Sequence, residues 1–240
     1  MFKLIFIFWL LLVHAIAMLA LVETDLAYRI DRKLGVGLLT SKELTHFYEE
    51  MVGSHQQIDG SVLIGSTVFL GDSITQALNV NAITQPSVNF GIGMDTTFGL
   101  LERLPKYTSL QRASRIVIAI GVNDLIRTHR DNTEIIENYL RFFALLPSGV
   151  PVTIHAILPV DEQLTQVDFN TRIQQLNSDL SQLAKIKQAD FFDMTALLSD
   201  SNGQLKSEYH IGDGLHLSTQ GYAIWIDALK QHLLKIDSTK

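Results

Sequence analysis

The chain contains no cysteine. That excludes disulfides, a thiol nucleophile and cysteine-ligated zinc, and it fits an oxidising compartment as well as a reducing one. Charge of one sign never gathers. There are 19 Lys and Arg against 25 Asp and Glu, a net charge of -6, with no long run of either sign. A nucleic-acid partner would need a basic stripe, and none is present. Proline is scarce, at 5 residues, and no low-complexity tract appears. Repeats at solenoid or propeller periods are also missing. What remains is a mixed composition that is 47% hydrophobic. Without its N-terminal stretch the chain has the size of one α/β domain, which can bury a core without disulfide or metal.

Long hydrophobic runs are likewise absent, with one exception. Residues 4–22, "LIFIFWLLLVHAIAMLALV", hold no charge when His14 is neutral. At ~1.5 Å per residue such a helix crosses most of a bilayer core. Lys3 precedes it; Glu23 and Asp25 follow. Residues 1–22 are therefore expected to be a retained signal anchor or a cleavable signal peptide. Ala15-Ile16-Ala17 is an A-x-A-like cleavage site, with the cut after Ala17. The run continues past that site to spanning length, which favours the retained anchor. A buried core helix fits less well, since a segment apolar all round is hard to cover in a domain this small. Orientation is weakly specified, because Lys3 is opposed by Arg29, Arg32 and Lys33. The expected location is membrane-anchored or exported, on the extracytoplasmic face.

Residues 23–60 read as a helical connecting region. Leu44, Phe47, Tyr48 and Met51 fall at helical spacing behind Ser41, a possible cap. From residue 61 onwards the pattern becomes regular. "STVFLG", "SVNFGIG", "RIVIAIGVND", "VPVTIHAILP" and "ADFFDM" are short apolar runs, as expected of strands buried on both faces of a parallel sheet. Helical patterns lie between them. One places Ile135, Ile136, Tyr139, Leu140, Phe143 and Leu146 on a face; another aligns Phe169, Ile173, Leu176, Leu180, Leu183 and Ile186. A last helix closes the chain from Ser218. Alternating strands and helices predict an α/β fold, a three-layer α/β/α sandwich on a parallel sheet. In such sheets ligands gather outside the carboxyl ends of the strands.

Four polar turns fall at those ends: "GDSIT" with Ser73, "NFGIG" with Asn89 and Gly91, "GVND" with Asn123 and Asp124, and "GDGLHL" with Asp213 and His216. Singly, each is common turn or capping composition. Together they supply every part of an acyl-transfer site. A serine hydroxyl needs a base to take its proton, and His216 can be that base. Asp213, three residues earlier, can fix the imidazole tautomer and stabilise the imidazolium. The N–H groups of Ser73 and Gly91 and the Asn123 amide can receive a developing oxyanion. The G-x-S-x-G elbow of the α/β-hydrolase fold is absent.

The four blocks in this order, "GDSI", the glycine of "NFGIG", the asparagine of "GVND" and "DGLH", resemble the SGNH (GDSL-type) hydrolase superfamily over roughly residues 64–236. "NFGIGMDTT" is similar to the branch of platelet-activating-factor acetylhydrolases and bacterial acylhydrolases. Ile74 stands where the older signature has leucine, a volume-conserving swap. The resemblance implies a flavodoxin-like fold over residues 61–240. It also implies a triad of Ser73, His216 and Asp213 and an oxyanion hole of Ser73, Gly91 and Asn123. The activity it implies is esterase, thioesterase or lipase-like, without a cofactor or metal.

Asp72 and Asp124 are expected to brace their own turns. His46, His55, His129, His155, His210 and His232 read as surface or core residues. A metal cluster of His210, Asp213 and His216 is disfavoured, because His216 already has a role and two glycines interrupt the stretch. The expected partners are small-molecule, glycan or lipid acyl esters, and a membrane through residues 4–22 if these are retained. Short-chain or carbohydrate O-acyl esters are favoured over fatty acyl esters and thioesters. An O-acyltransferase and an inactive binding module on a membrane stalk complete the alternatives.

Overall fold

The computed structural model describes residues 2–23, 30, 42–165 and 169–238. They fall into two compact units, Met1–Lys42 and Glu43–Lys240. In the first, helix α1 runs Phe2–Glu23. Its side chains are described continuously only over residues 5–19. Among the described residues no helix is long and apolar enough to cross a membrane. Ser41, expected to cap the next helix, lies outside the described residues. The cap is Thr45, whose hydroxyl accepts from the Tyr48 N–H at 3.1 Å and starts α2 (His46–Asp59).

The second unit is built on β1 (Thr67–Gly71), β2 (Ser87–Gly91), β3 (Arg115–Ala119), β4 (Val152–His155) and β5 (Asp190–Phe192). They form one parallel sheet in the order β2-β1-β3-β4-β5. Val68, Leu70, Ile116, Ile118 and Ile154 are wholly buried, as unbroken apolar strands covered on both faces must be. The chain steps from β1 to β2 on one side, then from β2 across to β3 and onward. Helices α4 (Thr97–Arg103), α6 (Asn132–Leu145) and α8 (Asn170–Lys187) pack side by side with α6 in the middle, and the right-handed rule for parallel crossovers assigns them to one face. The short α3 (Ser73–Gln76), between β1 and β2, falls on the other. There α10 (Thr219–Asp237) is tied to α3 by the Tyr222 hydroxyl, which donates to Ile74 O at 2.9 Å. Three further short helices, α5 (Val122–Arg127), α7 (Glu162–Thr165) and α9 (Thr195–Leu198), follow β3, β4 and β5.

The apolar faces of two helices are turned slightly from expectation. In α6 the buried apolar side chains are Ile135, Tyr139 and Phe142, while Leu140 is 41% exposed. In α8 Ile173, Leu176, Leu180 and Leu183 are buried but Ile186 is 76% exposed. Two successive steps of three residues each lag the 3.6-residue turn by about 60°, which carries Ile186 off the face.

Gly71 pairs with both Gly91 and Ala119, so β1, β2 and β3 end level at one edge of the sheet. The switch in strand order lies there, between β1 and β3. Helix α3 folds back directly over that edge. A Cβ on Gly71 would stand 2.3 Å from Ala119 O, and one on Gly91 would stand 2.3 Å from Gln76 N. Both positions therefore need glycine for the close approach of backbone.

A buried arginine fixes the same edge from beneath. Arg103 Nε donates to Asp95 Oδ2 at 2.8 Å, Nη1 to Phe90 O at 2.7 Å and Nη2 to Gly71 O at 3.0 Å. Neither side chain of the pair has exposed surface. Removing one partner of such a pair strands a buried charge, at about 3–5 kcal/mol. Arg103→Met should lose about that much stability in urea unfolding, and Arg103→Met with Asp95→Asn should lose less. A double variant less stable than the single one would show that the pair is not coupled in this way.

Candidate active site

Ser73 follows β1 by one residue and opens α3. The cap of that helix is Asp72, whose Oδ1 accepts from the Ile74 N–H at 2.9 Å. The Ser73 hydroxyl is therefore not needed as a cap. It lies 2.9 Å from His216 Nε2. The other ring nitrogen, His216 Nδ1, lies 2.6 Å from Asp213 Oδ2. A carboxylate only accepts, so Nδ1 carries the proton and Nε2 is left to accept from the hydroxyl. Serine, histidine and aspartate thus form one continuous hydrogen-bonded relay. It joins the edge of the sheet to a loop 143 residues away along the chain.

That loop is closed by an isolated antiparallel bridge between His210 and Leu217. Within it Asp213 Oδ1 accepts from the backbone N–H groups of Leu215, at 3.0 Å, and His216, at 2.9 Å. Partial burial pushes the Asp213 carboxyl up. The His216 ring and the two N–H groups outweigh this and leave its pKa below the usual carboxylate value. It stays ionised beside the imidazole, the charge state that stabilises an imidazolium.

Asn123 lies in α5, the helix that leaves β3, and is nearly buried. One hydrogen of its amide goes to Asp95 O at 3.0 Å. The amide has a second hydrogen to offer. The Ser73 N–H, at the first position of α3, is among the helix-start donors that have no intrahelical partner. Gly91 is different. Its N–H donates to Asn89 Oδ1 at 2.8 Å, so the expectation that it serves an oxyanion needs correcting. Asn89 Nδ2 in turn donates to Thr75 O at 2.7 Å and Leu78 O at 2.9 Å. Asn89 and Gly91 together dock the end of α3 on β2. Asp124, expected to brace its loop, reaches further: it accepts from Thr97 N–H at 2.9 Å and from Arg130 at 2.7 Å. Arg130 continues to Glu43 at 2.9 Å. Arg127 donates to Met94 O. The turn 92–97 is thus held by side chains from α4 and α5, with Arg130 bracing Asp124 from behind, which no motif pointed out.

A family model for GDSL-like lipases and acylhydrolases matches residues 69–224, which include all of these turns. The chain belongs to that family. It is an acylhydrolase of the GDSL type. A search of curated proteins gives no match. Solved structures give several. One from Streptococcus pneumoniae, assigned provisionally as a platelet activating factor, is 28% identical, with a TM-score of 0.68 over 78% of this chain and 92% of that one. A GDSL-like lipase from Bacteroides thetaiotaomicron is 20% identical, with a TM-score of 0.69 over 80% of this chain and 100% of its own. An acetyl-xylooligosaccharide esterase from Geobacillus, also a variant protein, is 20% identical, with a TM-score of 0.56 over 70% and 94%. At these lower identities the likeness is one of fold.

Between the residues that flank Ser73 and the ends of β3 and β4, this acylhydrolase has a small crevice, whose lining includes none of Ser73, Asp213 and His216. It is lined by Asp72, Ile74, Ile120, Val122, Ile157 and Trp225, among others. His155 is a core histidine, as expected, packed edge-on against Trp225 with ring centres 4.9 Å apart. It is not fully satisfied, however. His155 Nε2 and Trp225 Nε1 are buried and have no hydrogen-bond partner. Burial holds the imidazole neutral, with its pKa lowered to about 4.

Asp72, on the wall of this cleft, is pushed up to about 7 by burial, against the pull of the Ile74 N–H. Its unfolded value is ~3.9. The folded state therefore favours the neutral acid. The stability that this contributes is complete below about pH 4 and is lost as the pH rises through about 7. Asp72→Asn keeps the acceptor for Ile74 N–H and cannot ionise. Its stability relative to the wild type should rise from pH 4 to pH 8, measured by urea unfolding at each pH. A constant difference across that range would show that Asp72 is not held neutral.

Proposed function

We propose that this enzyme cleaves short-chain acyl esters, carbohydrate O-acyl esters among them, through an acyl-enzyme on Ser73. The observation that carries this reading is the unbroken relay from Ser73 Oγ to His216 to Asp213, with both links at 2.9 Å or less. His216 Nε2 takes the hydroxyl proton as Ser73 Oγ attacks the ester carbonyl carbon. The Asp213 carboxylate stabilises the imidazolium. The Ser73 N–H and the second Asn123 amide hydrogen receive the oxyanion, without Gly91. Collapse of the intermediate expels the alcohol, which takes its proton from His216. Water then repeats the sequence on the acyl-enzyme and releases the carboxylic acid. No cofactor or metal enters these steps.

The preference for short acyl groups rests on the cleft. Its space is small, and His155 Nε2 and Trp225 Nε1 both lie unpartnered among its lining residues. These polar atoms are already shut off from water, and they make the lining a poorer match for a long hydrocarbon chain than a wholly apolar one would be. A fatty acyl or thioester substrate is favoured by a different observation. Ile211, Leu164 and Met94 are exposed apolar side chains on the segments next to Asp213 and Asn123. A chain-length series of p-nitrophenyl esters decides between the two. Turnover should be highest on acetate or butyrate and vanish in Ser73→Ala with the circular dichroism unchanged. Preference for C12 or longer would select the fatty-acyl reading, and activity in Ser73→Ala would remove the mechanism. The same acyl-enzyme would make the protein an O-acyltransferase if an alcohol outcompeted water, and inactivity on every ester would leave a binding module.

The N-terminal segment is proposed to tether this domain outside the cytoplasm. The support is the uncharged run at 4–22, whose helical state extends over Phe2–Glu23. Fractionation of the native protein followed by intact-mass measurement should find the full chain in the membrane fraction. A soluble species that begins at Met18 would identify a cleaved signal peptide instead.

A further inference from the structure

We propose that His210 is a positioning residue, which holds the Asp213 turn in place beneath His216. The inference rests on the relay proposed above. His210 is buried, and its Nδ1 accepts two backbone N–H groups, from Gly212 at 3.0 Å and Gly214 at 3.2 Å. These two residues flank Asp213. Both have positive φ, 100° and 75°. A carboxylate set between two such glycines has a backbone with unusual freedom. One imidazole lone pair removes that freedom on both sides at once.

The rest of the loop is secured independently. Ile211 N–H donates to His216 O at 2.9 Å, Ser218 N–H to Tyr209 O at 2.8 Å and Asp161 N–H to Gly214 O at 2.8 Å. A Cβ on Gly214 would stand 2.9 Å from Asp161 O, so that glycine cannot be replaced by a stiffer residue. The stiffness has to come from outside the turn, and His210 supplies it. Because Nδ1 accepts, the proton of the neutral ring sits on Nε2. That nitrogen has no hydrogen-bond partner and faces Asp161 Oδ2 at 3.6 Å. The hydrogen bonds of His210 go to the Asp213 turn and not to Ser73. Its effect on turnover passes through the angle at which Asp213 meets His216 Nδ1.

The test uses the purified full chain and p-nitrophenyl acetate. His210→Phe fills the volume but offers no acceptor. It should lower kcat by about tenfold or more and leave KM within about twofold, since only the relay is disturbed. His210→Asn places an oxygen acceptor close to the position of Nδ1 and should recover most of kcat. His210→Gln places its acceptor one bond further out and should not. In an Asp213→Asn background His210→Phe should cost less than about threefold, because residues acting through one group are not additive. If His210→Phe does not fold, the Asn and Gln variants carry the comparison. Equal recovery by Asn and Gln, a change confined to KM, or full additivity with Asp213→Asn would overturn the proposal. Wild-type turnover in Asp213→Asn alone would overturn the relay as well, and so separates the two failures.

Discussion

Arg103, with no exposed side-chain surface, donates from all three of its nitrogens, to Phe90 O and Gly71 O near the ends of two neighbouring strands and to the carboxylate of the turn beyond them. A side chain can do this only where the strand ends are level, and the register of β1 against β2 makes them so. Backbone carbonyls at strand exits are a recurring difficulty for a buried parallel sheet, because the ladder stops there while the burial continues. Here Gly71 O accepts from the Ile92 N–H at 3.0 Å and from the guanidinium as well, Phe90 O accepts from the guanidinium, and the charge is answered by Asp95. The turn 92–97 and the exit toward Ser73 are then parts of one hydrogen-bonded body.

The two sides of the candidate site are stiffened by different means. On the sheet side, buried ions and glycine contacts do the work: Asp95 with Arg103, Asp124 with Thr97 and Arg130, and α3 pressed onto Gly71 and Gly91. On the loop side there is no strand to extend and little apolar surface to bury. The Asp213–His216 segment is held largely by backbone N–H groups, which find acceptors in Asp213 itself and in His210 just outside it. Hydrogen bonds of this kind are individually modest. Their value lies in directing a carboxylate at one ring nitrogen, which needs geometry more than energy. The separation of 143 residues between Ser73 and His216 is bridged by α10, whose Tyr222 reaches the first turn of α3.

Much of this was legible in the chain. The five strands announce themselves because parallel strands are apolar on both faces, and the four polar turns because nothing else explains a polar cluster at each exit. The positions of Ser73, Asp213 and His216 follow from the same reasoning. Other features were hidden for physical reasons. Gly91 looked like an open backbone donor, but a glycine also marks close packing, and Asn89 two residues earlier had already claimed its N–H. Arg103 sits in the last turn of a short helix, where a cation is unremarkable, and no spacing rule predicts that its head turns inward. Ile186 fitted a pattern whose drift becomes visible only when the rotation of each step is added. His210 carried a signal in "HIGDGLH", a histidine ahead of a glycine-flanked acid, yet a lone histidine has too many structural uses to be read alone.

The small crevice between the turn of Ser73 and the ends of β3 and β4 is a product of the fold. It lies where β3 and β4 end and where α3 and α10 meet, so its size is set by main-chain packing as much as by side chains. Asp72, pressed against it by the same turn that presents Ser73, cannot move away without losing the cap of α3. A buried acid, an unpartnered imidazole nitrogen and an unpartnered indole nitrogen then share one small space. An all-hydrocarbon filling would leave each of them unsolvated. A small polar group or water can offer partners to the two nitrogens, while Asp72 already accepts from the Ile74 N–H. The polarity of this space is thus set by the same turn and the same packing that present Ser73.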